Sequence, residues 1–346
     1  MEQPERTNYL YFPLANDSGM ISAVTPLLHG DLKTGQNSFL LAPVTAEDLH
    51  NSRSARNFWI FIEEYGAWSV GGNSPRQMML NFSDTPEAVT LEAGLLWHKI
   101  TRTNPELGIT AEITNFVPAT ADTVELMRVR ITNTGSAPVR FTPTAAIPIY
   151  GRSATNIRDH RHVTSLLHRI RTTPSGVVVK PTFCFDERGH LLNRTNYGVF
   201  GVTGTGGKPV GFFPKVESFI GAGGSFEWPE AVVRNRVDFC RAGEEFAGWE
   251  AVGAIRFREE SLEPGASCSY IMVMTISEAE TDLEYFVEKF GTDEAFEQYL
   301  RENKAFWDRK LSSLVFNSGD SDYSNWLRWV GIQPILRRIC GCSFLP

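Results

Sequence analysis

The sequence predicts a mostly β protein: a large two-sheet antiparallel sandwich followed by helices. Three observations point there. From 58 to 277, β-branched and aromatic runs alternate with Gly, Pro and Asn punctuation and carry almost no helical periodicity. After Ser277 the spacing of apolar residues changes to that of helices. So many short strands in one stretch of chain favour two stacked sheets over a small barrel.

The elements follow in order. Residues 109–117 place Ile109, Ala111, Ile113 and Val117 on one face and Thr110, Glu112 and Thr114 on the other, as in a strand with one dry and one wet side. Residues 124–132, 133–137 and 139–146 read as strand, turn, strand, because Asn133 and Gly135 tolerate positive φ. Further strands are expected near 165–171, 177–185, 197–203, 210–214, 250–258 and 267–277, with Glu263, Pro264 and Gly265 turning into the last. The glycine-rich stretch from Gly204 to Lys208 reads as a hairpin loop between 199–203 and 210–213. It is not a phosphate loop, which needs Gly, four residues, then Gly-Lys-Ser/Thr; Val202 and Pro209 occupy the deciding positions.

Leu283, Phe286, Val287 and Phe290 form one helical stripe, ended by Gly291. Phe296, Leu300, Trp307, Leu311 and Leu314 continue the pattern in a second helix, with Thr292 or Asp293 as its N-cap. A polar connector at 317–322 leads to a third helical segment from Ser324. Residues 326–339 are apolar on more than one side and contain Pro334, and Phe344, Leu345 and Pro346 follow. A lone surface helix would not be so apolar, so this segment is expected to open a further domain that is cut short. The expected division is 1–277 sandwich, 278–323 helical linker and 324–346 start of that domain.

With 346 residues, 42% hydrophobic and 21% charged, the composition is that of a folded protein able to bury a sizeable core. A net charge of -7 offers no footprint for nucleic acid. No apolar run reaches the roughly 18 residues a membrane helix needs, and the segment from Met1 to Arg6 lacks a signal-peptide pattern. Neither nucleic acid nor membrane is therefore expected as a partner. Cys184, Cys240, Cys268, Cys340 and Cys342 are an odd, scattered set that fits a reducing cytoplasm. The sequons at Asn81 and Asn193 carry no weight without a secretion signal.

Each candidate for chemistry has a plainer reading. His160 and His162, with His168 nearby, would share a strand face and could face a metal, but a polar loop fits better, and Arg158 and Arg161 beside them favour an anion. Cys340 and Cys342 read as buried thiols. Glu63, Glu64, Glu112 and Glu125 could supply the two carboxylates of a glycosidase, yet read more simply as wet-face residues of strands. Trp68, Trp97, Trp228 and Trp249 could stack on sugars, most of them being expected in the core. No metal and no cofactor is expected, and no Ser-His-Asp order or Gly-x-Ser-x-Gly elbow occurs.

The run Tyr65-Gly-Ala-Trp-Ser-Val-Gly-Gly72, the strand at 108–118 and the strand at 124–133 together resemble the supersandwich of cellobiose phosphorylase relatives, glycoside hydrolase family 94 and related β-glucan phosphorylases. Residues 325–339 look like the first barrel helix of the larger members. The resemblance implies a supersandwich, a two-helix linker and the first helix of an (α/α)6 catalytic barrel. It further implies the non-catalytic amino-terminal part of an inverting phosphorylase, with inorganic phosphate as co-substrate and a β-linked glucan disaccharide or oligosaccharide as partner. The catalytic Asp of the family lies in the barrel and outside residues 1–346. A homodimer is implied too, with a sandwich loop reaching the partner's active site. Tyr150, Gly151 and Arg152, followed by Arg158–Arg161, lie where such a loop is expected. Arg152 is the candidate substrate-binding residue, by charge-assisted hydrogen bonds to a sugar hydroxyl or phosphate, with a structural ion pair as the alternative. Two other readings of the whole chain stay open: a free-standing carbohydrate-binding sandwich without catalysis, and a complete hydrolase using strand carboxylates.

Overall fold

The computed structural model describes residues 1–7, 9–45, 52–186, 189–278, 283–313, 315–336, 338–339 and 342–343. The first strands, β1 (Phe12–Ala15), β2 (Ile21–Val24), β3 (Leu32–Gly35) and β4 (Ser38–Leu41), form a four-stranded antiparallel meander. Alternation in the sequence locates no strand before Phe58, because these are too short to display a period. Burial of Leu14, Val24, Leu32, Leu40 and Leu41 against the main core holds them in place instead.

Next come β5 (Asn57–Ile62) and β6 (Gly66–Ser69), joined by a tight turn. Helix α1 (Pro75–Leu80) is started by Ser74, whose side chain accepts from the Gln77 amide, and by Pro75 in the first turn. A long meander follows: β7 (Ala88–Gly94), β8 (Trp97–Asn104), β9 (Ile109–Phe116) and β10 (Val124–Asn133). Beyond it lie β11 (Val139–Ile149), α2 (Arg161–Ser165), β12 (Arg169–Thr172), β13 (Gly176–Val179), β14 (Phe183–Asp186), β15 (Gly189–Leu192) and β16 (Asn196–Thr203). The β part closes with β17 (Gly211–Lys215), α3 (Val216–Ile220), α4 (Glu230–Val233), β18 (Glu245–Ala247), β19 (Ala251–Arg256), β20 (Glu260–Leu262) and β21 (Ser267–Ser277).

Two sheets dominate, and the pairs within them are antiparallel. The larger has the order β18-β12-β13-β16-β21-β10-β9-β8-β7; the smaller has β17-β19-β11-β5-β6, with β20 also on β11. Their inner faces share one core that includes Phe58, Ile60, Ile113, Val129, Ile147, Val199 and Met272. Strand β21 enters last yet lies in the middle, between β10 (Val129↔Tyr270) and β16 (Phe200↔Val273). The two halves of the large sheet meet only through it.

The helices sit on the outer face of that sheet. Leu283, Phe286 and Phe290 of the α5 region (helix Glu284–Phe290) and Phe296 of α6 (Asp293–Leu311) pack on Phe116, Leu126, Phe200 and Val273. Thr292 caps α6 by accepting from the Ala295 amide at 3.2 Å. Arg128 then ties α6 to β10: its Nη1 lies 2.6 Å from Glu297 Oε1, and its guanidinium 4.6 Å from the Phe296 ring centroid. The dry-and-wet reading of 109–117 is corrected at Thr114, which is buried, while Thr110 and Glu112 stay half-exposed.

Other expectations are corrected by topology. Strands β10 and β11 do not pair; the turn at 133–137 carries the chain from one sheet to the other, with Asn133 Nδ2 donating to Ala137 O and Leu262 O, both at 2.8 Å. The Gly204–Lys208 stretch is likewise a crossover, from β16 to β17, and not a hairpin loop. Both long sides of β16 are already taken by β13 and β21. The strand expected at 165–171 is preceded by α2 and starts only at Arg169. The one expected at 177–185 breaks at Pro181, which has no N–H to give a ladder. The third helix, α7 (Ser321–Val330), starts before Ser324 because the Asp320 side chain accepts from the amides of Asp322 and Tyr323. It stops at Gly331, and α8 (Gln333–Leu336) restarts with Pro334 in its first turn, where a missing N–H costs little. Cys340, and the apolar end at Phe344, Leu345 and Pro346, lie outside the described residues, as does Cys342's side chain.

Candidate functional site

Antiparallel pairing gathers several chain ends at one end of the smaller sheet. Strands β11 and β17 finish there, at Ile149 and Lys215, while β5 and β19 begin there, at Asn57 and Ala251. The flanking residues are Arg53, Tyr150, Arg152, Lys215, Trp249 and Glu250. Backbone bonds to β4 hold the segment after β11: Phe39 N donates to Arg152 O at 2.9 Å and Tyr150 N donates to Leu40 O at 2.6 Å. Gly151 between them has φ +61°, a conformation that suits glycine.

Arg152 is only 9% exposed. Its Nε donates to His168 Nε2 at 3.4 Å, and its guanidinium lies 5.2 Å from the Tyr150 ring centroid. Burial, with Arg152's charge second, holds the His168 pKa down to about 3, so the imidazole is neutral. Its Nδ1 is 3.2 Å from Trp249 O. The one neutral tautomer that serves both contacts carries the proton on Nδ1, which donates to Trp249 O and leaves Nε2 to accept from Arg152. Burial also lowers the pKa of Arg152 and raises that of the Tyr150 phenol. Arg152, His168, Asn193 and Tyr197 line a small enclosed pocket.

Around this buried pair lies a more open rim. Glu250 stands between Arg53, at 3.2 Å, and Arg161, at 3.9 Å. Burial lowers the Arg53 pKa, opposed by Glu250. The carboxylate thus sits among several guanidinium groups, an arrangement that presents donors and an acceptor side by side. Arg161 was legible as a neighbour of Arg158; Arg53 and Glu250 carry no local signal and come from the turn before β5 and the loop before β19.

The remaining candidates disperse. His160 and His162 lie 5.4 Å apart, exposed at the start of α2 and not on a strand, while His168 turns inward to Arg152. Among the described residues no group of His, Cys, Asp and Glu could hold a metal ion. Glu63 and Glu64 are exposed in the turn after β5, and Glu112 sits 3.9 Å from Lys99. Glu125 is not a wet-face residue: it is fully buried in a two-point ion pair with Arg56, because the β1–β4 meander covers that stretch of β10. The carboxylate the sequence did not single out is Glu87, also buried, which accepts from Trp68 Nε1 (2.7 Å) and from Gln77, Arg102 and Asn104 (each 2.9 Å). It knots the Tyr65–Gly72 run to β8. Trp68 is therefore core, and Trp97 is half-buried beneath Lys304. Trp228 and Trp249 remain exposed, at 47% and 42%.

The sequence profile described as "Glycosyl hydrolase 94, supersandwich domain" matches residues 88–293, the span from β7 to the start of α6. Among solved structures, a bacterial glucoamylase complexed with acarbose shares the fold with a TM-score of 0.50 at 6% identity, over 87% of this chain and 37% of that one. A protein from the human microbiome assigned as a kojibiose phosphorylase aligns over 95% of this chain and 35% of its own, at 12% identity and a TM-score of 0.43. A GalM/aldose epimerase homologue from C. elegans aligns over 78% of this chain and 98% of its own, at 13% identity and a TM-score of 0.41. The chain thus spans 37% of the length of the glucoamylase it resembles. No curated protein matches it by sequence.

Proposed function

Because the chain belongs to the glycosyl hydrolase 94 supersandwich-domain family, we propose that it is the non-catalytic sandwich of an inverting glycoside phosphorylase. The enzyme cleaves β-glucosidic disaccharides or oligosaccharides with inorganic phosphate and yields a sugar 1-phosphate. The family match over 88–293 carries this reading.

In that reaction a phosphate oxygen attacks the anomeric carbon opposite the leaving group. The glycosidic C–O bond breaks as the C–O bond to phosphate forms, and a carboxylic acid gives its proton to the departing oxygen. One carboxyl suffices because phosphate is already a nucleophile, whereas an inverting hydrolase needs a second to activate water. The dispersal of Glu63, Glu64, Glu112 and Glu125 supports a scaffold over a hydrolase. In this reading the acid and the phosphate-holding groups belong to an (α/α)6 barrel that the linker α5–α6 joins to the sandwich, with α7 as the first barrel helix. The protein works in the cytoplasm as a homodimer. The segment from Tyr150 to His162 faces the partner's active site, where His168 positions Arg152 for a charge-assisted hydrogen bond to a sugar hydroxyl or phosphate.

The test is an assay of the enzyme carrying this domain, given cello-oligosaccharides with and without phosphate. Sugar 1-phosphate forming only with phosphate is expected, and the 346-residue chain alone should turn over nothing. Free sugar released by that chain in phosphate-free buffer would overturn the reading.

A further inference from the structure

Trp228 and Trp249 are the two exposed tryptophans among the sandwich candidates, and a near neighbour of each in the chain touches the same arginine. The Arg53 guanidinium lies 5.7 Å from the ring of Phe226, two residues before Trp228, and 3.2 Å from Glu250, the residue after Trp249. Neither indole sits on a loose loop. Gly248 N donates to His168 O at 3.0 Å, and Trp249 O accepts from the His168 ring. Gly248 takes φ +83° to make that turn. On the other side Phe226, Ala231 and Val232, which flank Trp228 in the chain, are buried in one cluster, and the Trp228 amide donates to Ser225 O at 3.3 Å. Lys215 adds to the Trp249 side, its Nζ being 5.0 Å from that ring centroid and 4.9 Å from that of Phe246.

Leaving two large aromatic rings exposed forgoes burial that would stabilise the fold. Presenting them on pinned backbone removes much of the ordering cost of a ligand. Beside Trp249, Glu250 pairs with Arg53 and Arg161, and Arg53 reaches Phe226 near Trp228, so the group offers an acceptor and several donors. Hydroxyl groups complement such a mixture, since each both donates and accepts. An anion would meet the Glu250 carboxylate. A flat ligand with apolar faces and a hydroxyl rim fits all of these features.

We propose that Trp228 and Trp249, together with the linked Arg53, Glu250 and Arg161, form a binding surface for a neutral oligosaccharide. The rings take the apolar sugar faces and the charged groups take the hydroxyls. The choice of a β-linked glucan rests on the phosphorylase reading; the surface itself does not.

The experiment is a titration of the 346-residue chain with cellopentaose, followed by calorimetry and by tryptophan fluorescence. The wild-type chain should bind. Trp228→Ala and Trp249→Ala should each weaken binding by about three- to tenfold, and the double variant should bind at least about tenfold less tightly. Glu250→Gln should weaken it while the fluorescence response persists. Thermal melts check folding, and the half-buried Trp97→Phe serves as a variant that should bind as wild type. Unchanged affinity in the folded double variant, or no binding by the wild-type chain up to about 5 mM of either cellopentaose or, in a parallel titration, maltopentaose, overturns the proposal. Phosphate dependence of the whole enzyme is a separate readout, so loss of the phosphorylase reading and loss of this surface are told apart.

Discussion

Arg56 and Glu125 face each other with both side chains wholly buried, Nε 2.5 Å from Oε1 and Nη2 2.9 Å from Oε2. The same Nη2 also donates to Ser22 Oγ at 2.7 Å and Asp31 O at 3.2 Å. The pair therefore bolts the amino-terminal meander to β10. Removing one partner strands a charge in the interior, so Glu125→Leu or Arg56→Met should destabilise by about 3–5 kcal/mol. The double variant should recover part of that loss. Urea denaturation of all three chains measures the coupling, and simple additivity of the two losses would contradict this account.

Stability should fall with acid well before carboxylates titrate. Burial holds both His98 and His168 down to about 3, against an ordinary value of 6.5. Between those two values the unfolded chain takes up protons that the folded chain refuses. The stabilisation from these neutral rings is thus complete above pH 6.5 and shrinks as pH falls toward 3, by at most about 1.4 kcal/mol per pH unit for each histidine. Neither ring nitrogen of His98 has a hydrogen-bond partner among the described residues, and the ring packs 5.2 Å from Phe12. His98→Phe should accordingly flatten the slope by roughly half. Denaturation midpoints at pH 7.5, 6.5 and 5.5 give the slopes directly.

Gly72 has φ +82°, and a Cβ there would fall 2.0 Å from Arg102 Nη2, a side chain locked by Glu87. Gly72→Ala should cost about 2–4 kcal/mol from strain and displacement of the buried guanidinium. Gly66 has φ +95° but open space around it. Gly66→Ala should therefore cost only the backbone strain, about 1–2 kcal/mol. Equal losses in the two variants would remove Arg102 from the explanation.

Arg128 holds α6 through Glu297 and Phe296, and the Asp293 amide adds a bond to Gly204 O at 2.8 Å. Glu297 is partly solvated, so Arg128→Ala should cost only about 1 kcal/mol globally. Its local effect should be larger. Hydrogen exchange followed by mass spectrometry should show 293–311 opening faster while 124–133 and 267–277 stay protected.

Long periodic elements were legible: the strands at 109–117, 124–132 and 267–277, the stripe at Leu283–Phe290 and the Thr292 cap all stand where their patterns place them. Pairing was not, because a strand's alternation does not name its neighbour. Nothing local in 124–146 or 199–213 distinguishes a hairpin from a crossover between sheets. Glu125 illustrates the same limit at the level of one residue, since its partner Arg56 lies 69 positions away. Around Arg152 the residues were in view but their relation was not: His168 reads as part of a polar loop until the chain folds it inward. Exposure of Trp228 and Trp249, with burial of Trp68, likewise depends on which strands come together.

The central position of β21 sets an order of events during synthesis. The stretch from β7 to β10 and the stretch from β12 to β16 emerge from the ribosome before the strand that joins them. Until residues 267–277 follow, the ten-residue β10 and the eight-residue β16 each present a long unpaired edge. A nascent or shortened chain lacking β21 would be two sticky half-sheets in search of a partner, and a shielding chaperone would matter most in that interval.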